Sequence, residues 1–435
     1  MGIQNFPAAL QPIIQQGYLD REFEESLKSK LGFRAIADRE SFANSIGETI
    51  TKTRRGLKAA ASTPMNPSTN TNLDNGLTPT GWTVEQYQLA INMYGDSIDL
   101  NMVTSRVAIA SQFLQNAKVN GEQAMRTLDV LARDALYNAY LGGNTRVVTT
   151  LGAPGVTVAV DDIRGFQTVF VNGQLVAVSG SNTLSVTVGA DVYTLTGATP
   201  DGSNVSTAPN GISGTLTFSG NVTVADATAA NAVKAAVAPS VIRPNARATT
   251  AAITTGDKLA MLDILSGVSQ LRDNGVPDVG GAYNYYGDNT QILGLFSDAN
   301  FQTLYRGAYG SAEYRDGQVF ELLGARFVPT NLAPQQTLAG KKIRRGILCG
   351  AGALVEGDFE AVGYSDVGDS DSLKTIVDEV CMVTREPLDR LGQIIAQSWY
   401  WIGGFSVPTD TTANPNVIPT ASNSYYKRGV VFESL

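Results

Sequence analysis

A helical stripe early in the chain constrains the fold more than any other feature. From Thr104 to Leu141 the residues Ala110, Leu114, Ala117, Gly121, Ala124, Leu128, Leu131, Ala135 and Ala139 recur at steps of three or four. That spacing puts them on one face of an α-helix. Gly142-Gly143 supplies the stop, because glycine enters the left-handed region without a Cβ clash. At 1.5 Å per residue the helix would run about 57 Å, more than a compact domain normally buries, so the stripe predicts a spine for other elements. Glycine costs roughly 1 kcal/mol against alanine inside a helix, so at Asn120-Gly121 one helix or two in tandem both fit.

A chain of 435 residues has room for two or three domains. It contains no histidine, which removes the usual general base at neutral pH, the commonest zinc ligand and the Ser-His-Asp triad. Cys349 and Cys381 are too few for a disulfide framework and sit in apolar runs, so they read as small buried hydrophobes in a reducing compartment. No basic-then-apolar leader opens the sequence and no segment reaches the length of a membrane span, so a soluble protein with no membrane partner is expected. The net charge of −8 argues against a broad basic face for nucleic acid.

Residues 1–45 are polar and charged, with a short amphipathic piece around Tyr18 to Lys30, and read as an N-terminal arm. Gly47 to Thr53 alternates with β-branched residues and is answered by a strand-like run from Trp82 to Ile91. The two make an extended β-hairpin loop over 46–95 with a polar tip. After the spine the composition changes: charges almost vanish from Thr149 to Thr250, and period-two runs recur. Examples are 168–171 and 174–178 about Asn172-Gly173, then 184–188, 192–195, 214–218 and 221–224. Residues 149–250 therefore read as an inserted all-β module, a small sandwich or barrel, with Ala227 to Ala238 as one helix. Helical spacing returns at Asp257 to Arg272, stopped by Asn274-Gly275. Strands and short helices follow from Tyr283, the last strong β run is Val377 to Arg385, and 387–392 turns the chain into Ile394 to Phe405. Residues 408–435 form a polar tail that recovers a short strand at Gly429 to Phe432. The fold class is α+β.

The chemical signals are weak. Gly350-Ala351-Gly352-Ala353-Leu354-Val355 begins like a dinucleotide fingerprint, but valine stands where the third glycine belongs, so it reads as a turn. Asp366, Asp369 and Asp371 miss the calcium-loop spacing and read as a solvated loop. Trp399 and Trp401 share one face of a strand and read as core. No catalytic, cofactor or metal constellation emerges, so no enzyme activity and no cofactor are expected. Arg54, Arg55 and Lys58, and Lys341, Lys342, Arg344 and Arg345, are clusters that could meet phosphate or a partner's carboxylates. With Trp82 they are the candidate inter-subunit contacts.

The order of these pieces resembles the major capsid proteins of tailed bacteriophages with the Hong Kong 97 type of fold, most of all the P22-like and N4-like branch that uses a separate scaffolding protein. The resemblance rests on the polar arm, on the loop opened by Gly47-Glu48-Thr49-Ile50-Thr51, and on the spine closed by Tyr140-Leu141-Gly142-Gly143. It is completed by Arg385-Glu386-Pro387-Leu388-Asp389-Arg390-Leu391-Gly392-Gln393 running into Ser398-Trp399-Tyr400-Trp401. It implies a peripheral domain at 96–148 and 364–407 and a mainly axial domain at 251–363, with 149–250 as an insertion. It also implies pentamers and hexamers in an icosahedral shell around double-stranded DNA, enclosed without sequence-specific binding. The implied partners are a scaffolding protein, a portal and possible decoration proteins, with assembly in the host cytoplasm and residence in the virion. An encapsulin-like nanocompartment shell protein shares the fold, and a β-rich surface or binding protein is the further alternative. An arm, a loop and a tail that cannot bury themselves point independently to a closed symmetric assembly.

Overall fold

The computed structural model describes residues 32–42, 49–55, 84–101, 109–171, 174–201, 211–236, 238–307, 321–359, 373–385, 390, 394–408 and 427–435. These residues form an α+β molecule of two compact units. One unit is drawn from Met1–Ile50, Gln88–Arg133 and Val355–Ser406, the other from Thr51–Tyr87, Asp134–Leu354 and Val407–Leu435.

The spine is a single helix, α1, spanning Ile109–Tyr140. Its 32 residues are about 48 Å long at 1.5 Å each. The proposed start at Thr104 lies outside the described residues. No break occurs at Asn120-Gly121, where the buried Asn120 Nδ2 donates to the carbonyl of Gln397 at 3.1 Å and ties the helix to a strand. Ala117, Gly121, Ala124 and Leu128 are buried as the spacing predicts. Past that point the buried row is Ala132, Leu136 and Tyr140 with Tyr137, whereas Leu131, Ala135 and Ala139 are only half-buried. Two tyrosines set the later face: Tyr137 Oη donates to the Arg345 carbonyl and Tyr140 Oη to that of Ala353, at 3.0 and 2.9 Å. Gly143 closes the turn after the helix at φ 74°, the left-handed geometry expected of the stop.

In the first unit, Ile394–Ser406 is the central strand of a sheet ordered Ala37–Phe42, Leu354–Phe359, Ile394–Ser406, Val380–Arg385, Leu373–Val377, and it pairs also with Asn92–Asn101. Side chains alternate across a strand, so Trp399 and Trp401 share its inner face and meet Ala117, Ala124 and Leu128 of α1. Tyr94 and Phe405 stack on Trp401 at ring-centroid distances of 5.9 and 5.4 Å. The β run expected from Val377 to Arg385 is a hairpin instead: Leu373–Val377 and Val380–Arg385 pair about Asp378-Glu379. Both turn residues have positive φ, 48° and 68°, the primed geometry that matches strand twist but that sequence usually marks with Asn-Gly.

In the second unit, Asn144–Arg146, Ala232–Ala235, Leu184–Val188, Asp191–Pro200, Gly214–Val222 and Gly155–Val160 form a six-stranded sheet in that order. Thr168–Val171 and Gln174–Ala177 form a separate hairpin with Val171 opposite Gln174. The inward row Val158, Val160, Val186, Val188, Leu195 and Leu216 is fully enclosed. The helix expected at 227–238 is absent from its described residues. Ala232–Ala235 is a strand held between Leu184–Val188 and Asn144–Arg146, and cross-strand pairing has overridden an alanine-rich helix preference.

A second sheet in this unit runs Val241–Ile242, Gly429–Ser434, Lys341–Cys349, Tyr283–Gly287, Ala325–Pro329, Glu321–Leu322, with Gln335–Leu338 also on Lys341–Cys349. Against it packs α2, Met261–Asp273, whose Gly267 leaves room for the ring of Phe432. This helix starts four residues later than the spacing suggested, because Asp257 is engaged before it. The Asp257 carboxylate accepts from Thr254 N and Oγ1 at 2.7 and 2.9 Å and builds a turn. The first N–H groups of α2 go to Asp263 and Asp298, from Ala260 at 3.0 Å and from Met261 at 2.8 Å. Two short helices follow, α3 at Asn289–Leu295 and α4 at Ala299–Gly307. Gly350 to Ala353 is a turn between strands, and Cys349 and Cys381 are both buried. The acidic loop at Asp366, Asp369 and Asp371 lies outside the described residues.

Candidate assembly surface and its buried supports

The basic strand Lys341–Cys349 alternates across its sheet, so Ile343, Arg345, Ile347 and Cys349 point one way into the core. A guanidinium in that row needs a counter-charge, and antiparallel register supplies one by placing Arg345 opposite Glu433. Arg345 Nε donates to Glu433 Oε1 at 2.8 Å, and Arg243 Nε and Thr250 Oγ1 both donate to Oε2, at 2.7 and 2.9 Å. The network continues outward. Arg345 Nη2 reaches Gln336 Oε1 at 2.5 Å, Gln336 Nε2 reaches Asp161 Oδ2 at 3.3 Å, and Arg146 Nε joins the same oxygen at 3.3 Å. The two sheets of the second unit are thereby cross-braced through polar atoms.

Burial pushes the Glu433 carboxyl up, but the charges of Arg243 and Arg345 and the hydrogen bonds they donate outweigh it and hold the group down at about 2. A depressed carboxylate stabilises the fold above its ordinary value near 4.5 and loses that contribution as pH falls toward 2. Asp257 has the same sign: burial opposes its charge, while Thr254, Asn245 and Arg247 lower it further. Hydrogen-exchange protection of Gly429–Ser434 is therefore expected to hold at neutral pH and to collapse in that acid window. Protection unchanged down to pH 2 would contradict the pairing.

The other basic residues of this strand are placed differently. Arg344 Nε donates to Asp288 Oδ2 at 2.6 Å, and Asp288 also caps α3. Lys341 Nζ donates to the Ile253 carbonyl at 2.7 Å. Lys342 is exposed. Arg54 and Arg55 lie on Thr49–Arg55, which pairs with Val84–Ala90 in a two-stranded ribbon. Lys58 and Trp82 lie outside the described residues. Of the eight candidates, Lys341, Arg344 and Arg345 thus bind within their own chain.

A second charged centre in the first unit escaped the sequence reading. The 3-10 turn Phe33–Ile36 buries Phe33 and Ile36, and its Arg34 is also enclosed. Arg34 Nε and Nη2 fork onto Glu356 at 2.9 and 2.6 Å, while Nη1 takes Asp378 Oδ2 at 2.9 Å. Arg39 Nη2 takes the other Asp378 oxygen at 2.7 Å. Burial opposes the Arg34 charge, but Glu356 and Asp378 more than compensate and raise its pKa. Asp129 of α1 completes the anchor by accepting from the backbone N–H of Arg34, Phe33 and Gly32. This centre pins the start of the described chain and the strained Asp378-Glu379 turn at once. No sequence motif marks it, because its members stand up to 344 positions apart.

No family model matches the chain, and no curated protein does. Among solved structures, the chain is similar to the capsid of the cyanophage P-SCSP1u, at 11% identity over 92% of this chain and 86% of that one, with a TM-score of 0.47. The capsid of Ralstonia phage GP4 is similar at 11% identity over 87% and 84%, TM-score 0.47. The capsid of cyanophage Pam1 is similar at 11% identity over 91% and 88%, TM-score 0.43.

Proposed function

We propose that this chain is the major capsid protein of a tailed phage, a subunit that assembles through pentamers and hexamers into an icosahedral head around double-stranded DNA. The observation that carries the reading is the ribbon of Thr49–Arg55 and Val84–Ala90, which pairs with no third strand among the described residues. Two strands alone are marginally stable in water, so the ribbon needs a surface to lie on, and a neighbouring subunit supplies one. The unbroken helix α1 and the Trp-bearing strand beside it fit the Hong Kong 97 type of architecture that the order of sequence elements resembles.

In this reading 1–45 is the arm, 46–95 the extended loop, 96–148 and 364–407 the peripheral domain, 251–363 mainly the axial domain, 149–250 an insertion and 408–435 the tail. Arg54, Arg55, Lys58, Trp82 and Lys342 face other subunits, whereas Lys341, Arg344 and Arg345 stabilise the subunit itself. A separate scaffolding protein, a portal and decoration proteins are the partners this role calls for. DNA is enclosed without base-specific contacts, and the net charge of −8 suits a wall that does not grip it. Electron microscopy of the protein expressed alone and beside its neighbouring genes is expected to show closed shells or five- and six-fold rings. Persistent monomers in both preparations would overturn the reading.

A further inference from the structure

The second unit contains a cleft of about 980 Å3 lined by the Ala232–Ala235 strand, residues 240–248, the start of α2 and the connection between α3 and α4. Four cations border it: Lys234, Arg243, Arg247 and Lys258. Arg243 and Arg247 are engaged by Glu433 and Asp257. Lys234 and Lys258 are exposed and enter no ion pair among the described residues. The two carboxylates of the lining are turned to backbone: Asp263 accepts from Ala260, and Asp298 from Met261 and Asn300. Lys234 and Lys258 are thus the cations of the lining left without an ion pair among the described residues, on a chain of net charge −8.

Leu262 stands in the same cleft at 66% exposure, beside Val241, Ile242 and Pro244. An apolar anchor point in a cleft that two ammonium groups also line suits an acidic amphipathic segment better than a nucleic-acid phosphate, which would gain nothing from Leu262.

The chain carries such a segment outside the described residues. In 18–27, Leu19, Phe23 and Leu27 recur at steps of four, and Asp20, Glu22, Glu24 and Glu25 outnumber the lone Arg21. On a helix Asp20 and Glu22 would flank the apolar stripe on opposite sides. We propose that residues 18–27 of a neighbouring copy dock in this cleft as an amphipathic helix, with the Leu19, Phe23 and Leu27 stripe on Leu262 and the flanking carboxylates toward Lys234 and Lys258. The proposal rests on the shell reading only in needing a second copy at hand.

Disulfide trapping in the full chain tests it, since Cys349 and Cys381 are buried and leave introduced thiols as the reactive ones. A Ser26→Cys chain, with the thiol flanking the apolar stripe, is co-expressed with a Ser266→Cys chain and oxidised, and cross-linked peptides are mapped by mass spectrometry. The expected result is a dimer joining positions 26 and 266, about tenfold above a control in which Asp191→Cys replaces Ser266→Cys, and falling about tenfold when Lys234→Glu, Lys258→Glu and Leu262→Asp are added. Yield equal to the control, or yield indifferent to those substitutions, would overturn the docking. So would protection of Lys234 and Lys258 from chemical modification by short duplex DNA without any cross-link, which would assign the cleft to nucleic acid. Micrographs of the same samples separate the two readings. Shells without the cross-link sink the docking alone, and the cross-link without shells sinks the shell alone.

Discussion

Glu433→Gln is expected to destabilise the second unit by about 3–5 kcal/mol, the cost of breaking a buried ion pair from one side. The substitution keeps the shape and the hydrogen-bond acceptor but removes the formal negative charge that Arg345 and Arg243 share. Two guanidinium groups, 4% and 12% exposed at the side chain, then share an uncharged amide. The effect should spread beyond the strand. Arg345 also holds Gln336, through which the network reaches Asp161, so one lost charge loosens both sheets of the unit. For a unit of this size the transition should fall by roughly 10 °C, read by circular dichroism and by early exchange of Gly429–Ser434 amides. A shift below 2 °C would mean that the pair contributes little, as exposed pairs usually do.

Arg34→Met is expected to cost the first unit about as much, roughly 3–5 kcal/mol, for a related reason. Glu356 has a side chain with no solvent exposure and relies on the Arg34 fork. Arg34 also donates to the Asp378 carboxylate and carbonyl, in a turn whose two residues hold positive φ without glycine. Such conformations cost of order 1–3 kcal/mol each and persist only where the surroundings over-determine them. The buried Trp399 and Trp401 report this unit directly, so urea unfolding followed by tryptophan fluorescence is the measurement. Adding Glu356→Met to Arg34→Met should recover most of the loss, because an apolar pair of similar volume replaces a buried ion pair at little cost. If the double variant is no more stable than the single one, packing around Phe33 and Ile36, and not charge, carries the anchor.

Particular elements show where sequence and structure part. The spacing of Ala117, Gly121, Ala124 and Leu128 announced the spine, because a period of three to four is a local property of the chain. Alternation about Trp399 and Trp401 announced their strand and their inward face for the same reason. Ala232–Ala235 could not be foreseen, since an alanine-rich stretch prefers helix until two strands offer it a ladder. The Asp378-Glu379 turn hid as well. Its residues carry no turn signature, and what holds them is an arginine more than three hundred positions away.

The basic run at Lys341 to Arg345 marks the limit for the candidate site. Sequence alone reads four cations as a surface cluster, but a strand sends alternate side chains to opposite faces, and only the partner strand decides which face is buried. Register with Gly429–Ser434 gave Arg345 a carboxylate opposite and turned a surface candidate into a core ion pair, while Lys342 stayed exposed. By itself the sequence determined periodicity, stops and composition: a long helical stripe, a charge-poor β-rich stretch and a chain without histidine. The tertiary structure decided which face of α1 turns inward past Leu128, where α2 begins and which charges are consumed inside the subunit. Those outcomes depend on long-range pairing, and burying a charge is tolerable only where a distant part of the chain supplies its counter-charge.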